Sequence, residues 1–238
     1  MRLAILLCQT DTGAYAARFP DDGQKFARLL ADQRPDWTFQ VFDATSGDLP
    51  GALSDWDGLL LTGSISSVHD DDPWIHALGD LVRAAHAQRL PMFGACFGHQ
   101  IIASALGGTV ADNPTGWIFG TACTSPTAPA PWLPPQPTTL HAAHSEQVTT
   151  LPPGATSLAS APDTPHAAFG IGTHVATTQY HPEMSVEFAS GLTSALKGHM
   201  PDDVLSRAAA AIGGPVDNDL WGDAIARFFE TAHRDRAD

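Results

Sequence analysis

The stretch FGACFGHQIIASALGG, residues 93–108, changes its pattern in the middle. With Pro91 and Met92 in front of it, the run up to Cys96 is short and apolar, as a strand covered on both faces reads. From Phe97 onward the residues read as a helix closed by Gly107 and Gly108. Cys96 is therefore expected on a strand-to-helix turn, with Gly94 two residues before it and Gly98 two after. At such a turn the side chain projects at the carboxyl edge of the sheet. Glycines on either side relieve the crowding that a Cβ would cause against the neighbouring strand or helix. The helix start offers unpaired N–H groups and the positive end of the helix dipole, both of which favour a thiolate. The backbone N–H of Phe97 faces the place where an oxyanion would develop. A cysteine here is either a buried filler or a nucleophile. His99 and Gln100, polar residues in an otherwise apolar helix, favour the nucleophile.

Working outward, LAILLC (3–8) and DGLLLTGS (57–64) are apolar runs of strand length, and TFQVFD (38–43) alternates like a strand. Between them, residues 23–35 carry Phe26, Leu29 and Leu30 at helical spacing and stop at Pro35. Residues 73–90 open with Pro73 behind the acidic run Asp70–Asp72 and place Trp74, Ile75, Leu78, Leu81 and Val82 on one helix face. The first hundred or so residues read β-α-β-β-α-β-α, which predicts an α/β fold with a mainly parallel central sheet. Residues 123–137, rich in proline, read as a loop between short strands and not as a domain linker. The strand-like pieces over 156–180 are expected to complete the same sheet. The remaining helical segments, about 184–234, are expected to pack on it, so residues 1–238 form one domain.

Twenty-six acidic residues against twelve basic ones leave a formal net charge of −14, and lysine occurs only at positions 25 and 197. Such a surface repels phosphate backbones, so nucleic acid is not an expected partner. Three widely spaced cysteines, Cys8, Cys96 and Cys123, suggest neither a disulfide framework nor a metal knuckle. The apolar run at the N-terminus is too short to span a membrane and reads as a first buried strand. These features lead to the expectation of a cytoplasmic protein without membrane contact, metal or cofactor.

A cysteine nucleophile needs a base, and the base needs a group to orient it. Among eleven histidines the candidate is His181, in TTQYHPEMS (177–185). Pro182 disfavours helical backbone at His181. In extended chain, residues two apart face the same side, so His181 and Glu183 can point at one site. His141 and His144 have the spacing of a metal pair, but no acidic or thiol ligand accompanies them and two ligands do not make a site. His69, His76, His86, His166 and His174 are read as solvated or packed.

GACFGHQ together with YHPE resembles the class I glutamine amidotransferases, and the likeness extends over nearly the whole chain. The resemblance implies a single three-layer α/β/α domain of flavodoxin-like type with Cys96, His181 and Glu183 as a catalytic triad. It implies an oxyanion hole from Gly63, in the loop 57–75, and Phe97. It also implies substrate binding by Gln100 and by the backbone around Ser145 and Glu146. Two positions depart from the common pattern: Ser64 stands where biosynthetic members more often have glycine, and Glu146 where several have aspartate. Within the family the chain resembles stand-alone members, similar to the glutaminase part of GMP synthase and to plant γ-glutamyl peptidases. The implied reaction is hydrolysis of the γ-amide of glutamine through a γ-glutamyl thioester on Cys96, releasing ammonia to a separate synthetase or acceptor subunit. A self-sufficient hydrolase of γ-glutamyl peptides or conjugates is the second reading, and a catalytically silent regulatory module the third.

Overall fold

Alternation along the first strands sets the layers. In β1 (Arg2–Leu7), Leu3 and Ile5 belong to one apolar core and Ala4 and Leu6 to another, on opposite faces of the sheet. The same division separates Leu60 from Leu59 and Leu61 in β3 (Gly58–Leu61), and Phe93 from Met92 in β4 (Met92–Ala95). A computed structural model describes residues 1–11 and 13–237. In it α1 (Asp22–Gln33) and α6 (Asn218–Ala237) cover the Leu3 side, and α2 (Pro73–Ala87) and α3 (Phe97–Ala105) cover the Leu59 side. In α6 the buried residues Trp221, Ala224, Ile225, Phe228, Phe229 and Ala232 recur at helical spacing. Gly58 makes room for this packing, because a Cβ there would lie 2.5 Å from the Phe229 ring.

Counting also β2 (Thr38–Asp43), β5 (Thr109–Asp112), β6 (Ile118–Pro126), β7 (Thr138–His144), β8 (Glu146–Thr150), β9 (Ala155–Ala161), β10 (Thr164–Ile171) and β11 (Val175–Thr178), the main sheet has the order β2-β1-β3-β4-β11-β10-β9-β6-β7. From β2 through β11 neighbouring strands are parallel; from β11 through β7 they are antiparallel. The parallel sheet expected from the sequence thus accounts for the half that carries the nucleophile. The other half is built of hairpins, whose short connections permit only antiparallel pairing. β5 and β8 form a separate small antiparallel pair.

The proline-rich stretch is only in part a loop. Cys123–Pro126 are the end of β6, paired with β7 and β9. The remainder seats Trp132 and Leu133 in the core against α6, with the Trp132 and Phe228 ring centroids 5.7 Å apart. Two further helices, α4 (Val186–Ala195) and α5 (Asp202–Ala211), flank the carboxyl edge. α5 lies on β6 at Gly120, where a Cβ would come within 3.2 Å of the Ala208 backbone.

Candidate active site

Three segments meet at the carboxyl end of the parallel strands, and each is held there by backbone geometry. Between β4 and α3, Cys96 adopts φ 52° and ψ −108°, left-handed backbone that a side chain rarely accepts and that costs on the order of 1–3 kcal/mol. The turn is pinned by the Cys96 N–H donating to the Thr178 carbonyl (2.9 Å) and the Gln100 N–H donating to the Cys96 carbonyl (3.1 Å). The flanking glycines are required by contact. A Cβ at Gly94 would lie 2.5 Å from the Gly98 carbonyl group, and one at Gly98 would run into the backbone carbonyl of Leu61.

The second segment follows β3. Buried Thr62 accepts from the Cys8 N–H (2.9 Å) with its hydroxyl and from the Gly98 N–H (3.1 Å) with its carbonyl, so the loop is tied to β1 and to the start of α3. This places Gly63 against the site: a Cβ there would stand 3.1 Å from His181 Cε1 and 3.6 Å from Cys96 Cβ.

The third segment follows β11. The His181 N–H donates to the His141 carbonyl of β7 (2.9 Å), a single antiparallel bridge that fixes the extended backbone expected before Pro182. His181 and Glu183 then face one site, and Nδ1 of the imidazole donates to Glu183 Oε1 (2.7 Å). Both side chains are almost wholly buried. The other ring nitrogen, Nε2, stands beside the Cys96 side chain. Burial by itself would push the imidazole pKa down. The charges of the Cys96 thiolate and the Glu183 carboxylate, with their hydrogen bonds, outweigh it and hold His181 well above the usual histidine range.

A strained cysteine at a helix start, a buried imidazole beside it and a carboxylate on the far ring nitrogen are the parts of a thiol hydrolase. The family model for class-I glutamine amidotransferases matches residues 37–190, which hold all three. The chain belongs to the class I glutamine amidotransferase family. Among relatives, it is 26% identical to γ-glutamyl peptidase 5 of Arabidopsis thaliana over 78% of this chain and 77% of that protein. It is 34% identical to the glutamine-hydrolysing GMP synthase of Parafrankia sp., over 73% of this chain but only 33% of that longer protein. The crystal structure of a glutamine amidotransferase from Methylobacillus flagellatus superposes with a TM-score of 0.76, covering 97% of this chain and 94% of that one at 24% identity.

In this member of the family Cys96 and His181 open into a cleft of about 420 Å³. Gly63, Gln100, Ser145 and Glu146 all line it. Phe97 does not: its ring turns into the core against Trp74 (5.3 Å between centroids), and its backbone N–H, first in α3, has no intrahelical acceptor. Both amide protons of Gln100 are engaged, with the Glu146 carbonyl (2.8 Å) and Gln179 Oε1 (3.3 Å). Gln100 thereby holds the 144–148 segment in place. The two departures from the common pattern find local partners. The Ser64 hydroxyl hydrogen-bonds to Thr10 (3.1 Å) and accepts from the Ser66 N–H (3.1 Å). The Glu146 carboxylate accepts from the Ser67 hydroxyl (2.9 Å), joining the glycine loop to the opposite wall.

Several cleft residues carried no signal along the chain. His144 Nδ1 donates to the Glu146 carbonyl (2.9 Å), and burial lowers its pKa to about 4, so the ring is neutral. Odd spacing on β7 sends the His141 and His144 side chains to opposite faces, which removes them as a metal pair. Among the described residues no group of three or more His, Cys, Asp or Glu is placed to hold a metal ion. No described helix is long and apolar enough to cross a membrane. Asp22, at the start of α1, also lines the cleft, and Lys25 Nζ meets its Oδ1 at 2.8 Å.

The three cysteines differ in their surroundings. Burial pushes the Cys8 thiol up to about 12, and its sulfur donates to the Leu6 carbonyl (3.4 Å). Cys123 is exposed on β6, and Cys96 opens to the cleft. With a disulfide reagent at neutral pH, Cys123 and Cys96 are expected to react in the native protein and Cys8 only after unfolding, read by mapping the modified peptides. Native labelling of Cys8 would contradict the packing of β1.

Proposed function

We propose that this protein cleaves γ-glutamyl amides through a thioester on Cys96, with glutamine as the simplest substrate. The observation that carries the reading is the convergence of Cys96, His181 and Glu183 beside Gly63 at the floor of one cleft. Cys96 as thiolate attacks the γ-carbonyl carbon, and the developing oxyanion lies between the N–H groups of Gly63 and Phe97. The C–N bond breaks, and His181 gives its proton to the departing nitrogen. A water molecule, deprotonated by His181, then hydrolyses the thioester to glutamate and the free thiol. Glu183 holds the imidazole in the tautomer that keeps Nε2 toward sulfur. Ser145 and Glu146 border the amino-acid end of the substrate, and Gln100 keeps them there.

The test is release of glutamate from a panel of glutamine and γ-glutamyl amides, with trapping of the γ-glutamyl adduct on Cys96 by mass spectrometry. Absence of both glutamate and adduct for every member would refute the reading. Glutamine as physiological substrate predicts an ammonia-accepting partner, in line with the name of the GMP synthase relative, and a rise in turnover when that partner is added. One observation favours amides with larger leaving groups, in line with the γ-glutamyl peptidase relative. The cleft has the volume of a small-molecule site and continues past the triad along the apolar face of α4.

The charge on Glu183 gives a pH prediction. In Glu183→Gln the carboxylate no longer raises the His181 pKa, so the imidazolium is lost at lower pH. Because protonation of the departing nitrogen needs the imidazolium, the alkaline edge of amide turnover is expected to move to lower pH. Turnover is expected to fall by roughly two orders of magnitude. An unmoved edge would mean that Glu183 does not act on His181.

A further inference from the structure

The wall of the cleft beside His181 differs in character from the wall beside Ser145. Met184 follows His181 closely, and its N–H approaches the His181 carbonyl (3.4 Å). From there α4 presents Phe188 and Leu192 to the cleft. The imidazole protonates the departing nitrogen, so whatever is attached to that nitrogen leaves along this apolar face.

The charged groups on the same side are acids. Asp22 lines the cleft; burial, and then the nearby Glu183 charge, raise the Asp22 pKa. Asp11 lines the cleft as well, and among the described residues no lysine or arginine does. The nearest cation, Lys25, is already spent: its Nζ lies 2.8 Å from Asp22 Oδ1 and 3.9 Å from the centre of the Phe188 ring. The start of α4, the other electropositive feature nearby, is capped by the Ser185 hydroxyl accepting from the Phe188 N–H (3.1 Å), and Glu187 occupies its first turn.

At the mouth stand Ile65, 78% exposed, and Trp117, 41% exposed. Among the described residues these are the large apolar side chains left open to solvent, and both border this cleft. An apolar rim, an apolar wall and surroundings in which Lys25 and His181 are each already paired to a carboxylate together select against one feature of a leaving group, an anionic substituent.

We infer that the amine released by this enzyme has an apolar body and carries no carboxylate next to its nitrogen. This rests on the reading that Cys96 cleaves γ-glutamyl amides, and it names the class of amide. In a γ-glutamyl amino acid the terminal carboxylate is one carbon from the scissile nitrogen. It would lie beside the Asp22–Lys25 pair, with His181 already paired to Glu183 and, among the described residues, no lysine or arginine lining the cleft to meet it. An alkylamide lacking that group meets only Met184, Phe188 and Leu192.

The test compares γ-glutamyl-isoamylamide with γ-glutamyl-leucine, which differ only by the carboxylate. The wild-type enzyme is expected to show kcat/KM about tenfold or more higher for the isoamylamide, with most of the difference in KM. Asp22→Asn removes one opposing charge and loosens Lys25, so γ-glutamyl-leucine should gain several-fold and the ratio should narrow. Equal or better cleavage of γ-glutamyl-leucine by the wild type would overturn the inference, whatever the variant does. Cleavage of glutamine with refusal of both amides would also overturn it while leaving γ-glutamyl chemistry at Cys96 intact. No glutamate from any of the three would refute the underlying reading instead.

Discussion

Replacing Cys96 by serine is expected to abolish γ-glutamyl amide hydrolysis, lowering kcat by at least roughly three orders of magnitude. The hydroxyl keeps the size and position of the thiol but not its acidity. The charges of Cys96 and Glu183 hold the His181 pKa well up against burial. Facing a neutral hydroxyl it loses one of those two supports and must act as a general base on a much weaker acid. The measurement is glutamate release together with mass spectrometry of the protein after substrate addition. Wild type should show the γ-glutamyl adduct and Cys96→Ser none. Residual activity near the wild-type level would remove Cys96 from the mechanism. Labelling of Cys96 by a glutamine-like electrophile, lost in His181→Ala, would separately dispose of a catalytically silent module.

The second large effect is on the fold. Gly98→Ala is expected to destabilise the protein by about 3 kcal/mol, lowering the melting temperature by roughly 6–12 °C. The added Cβ meets the backbone carbonyl of Leu61, the last residue of β3, and a strand central to the sheet cannot step aside as a flexible side chain could. Moving α3 outward instead would break the Gly98 N–H bond to the Thr62 carbonyl and carry Cys96 and the Phe97 N–H away from Gly63. Activity should therefore fall along with stability. Gly51→Ala is the control, since a Cβ there meets no atom within 4 Å. Its melting temperature should stay within about one or two degrees of wild type. A Gly98→Ala protein as stable as that control would show that the close approach of α3 to β3 is not required.

Much of this was legible along the chain because the information is local. The continuous apolar run of β1 and the helical spacing in α1 and α2 follow from backbone geometry within a few residues, and so does the glycine pair about Cys96. His181 and Glu183 were legible together because extended chain places alternate residues on one face, and the hydrogen bond between them joins residues two apart.

Asp22, His144, Ser67 and Trp117 were not legible, because each reaches the cleft from a segment that has no pattern of its own. Asp22 reads as an ordinary acidic residue at a helix start, stabilised there by the dipole. Only the packing of α1 beside α4 turns it toward the triad. The amide contacts of Gln100 with the Glu146 carbonyl and Gln179 were not legible either, since they form only where the 144–148 segment folds back to within hydrogen-bond reach of α3. The antiparallel half of the sheet was likewise hidden: a short apolar run has the same appearance whichever way its neighbour runs.

The sequence by itself determined the layered α/β half of the molecule, the strand-to-helix turn at Cys96 and the pairing of His181 with Glu183. Each of these depends on spacing over a few residues, where stereochemistry leaves little choice. The tertiary structure alone decided that His181 reaches the Cys96 side chain, that Gly63 comes up against both, and that the cleft beside them is walled by Met184, Phe188 and Leu192 with Asp22 nearby. Those features are contacts between residues far apart in the chain, and they exist only once burial of the two apolar layers has drawn the ends of β3, β4 and β11 to a single edge.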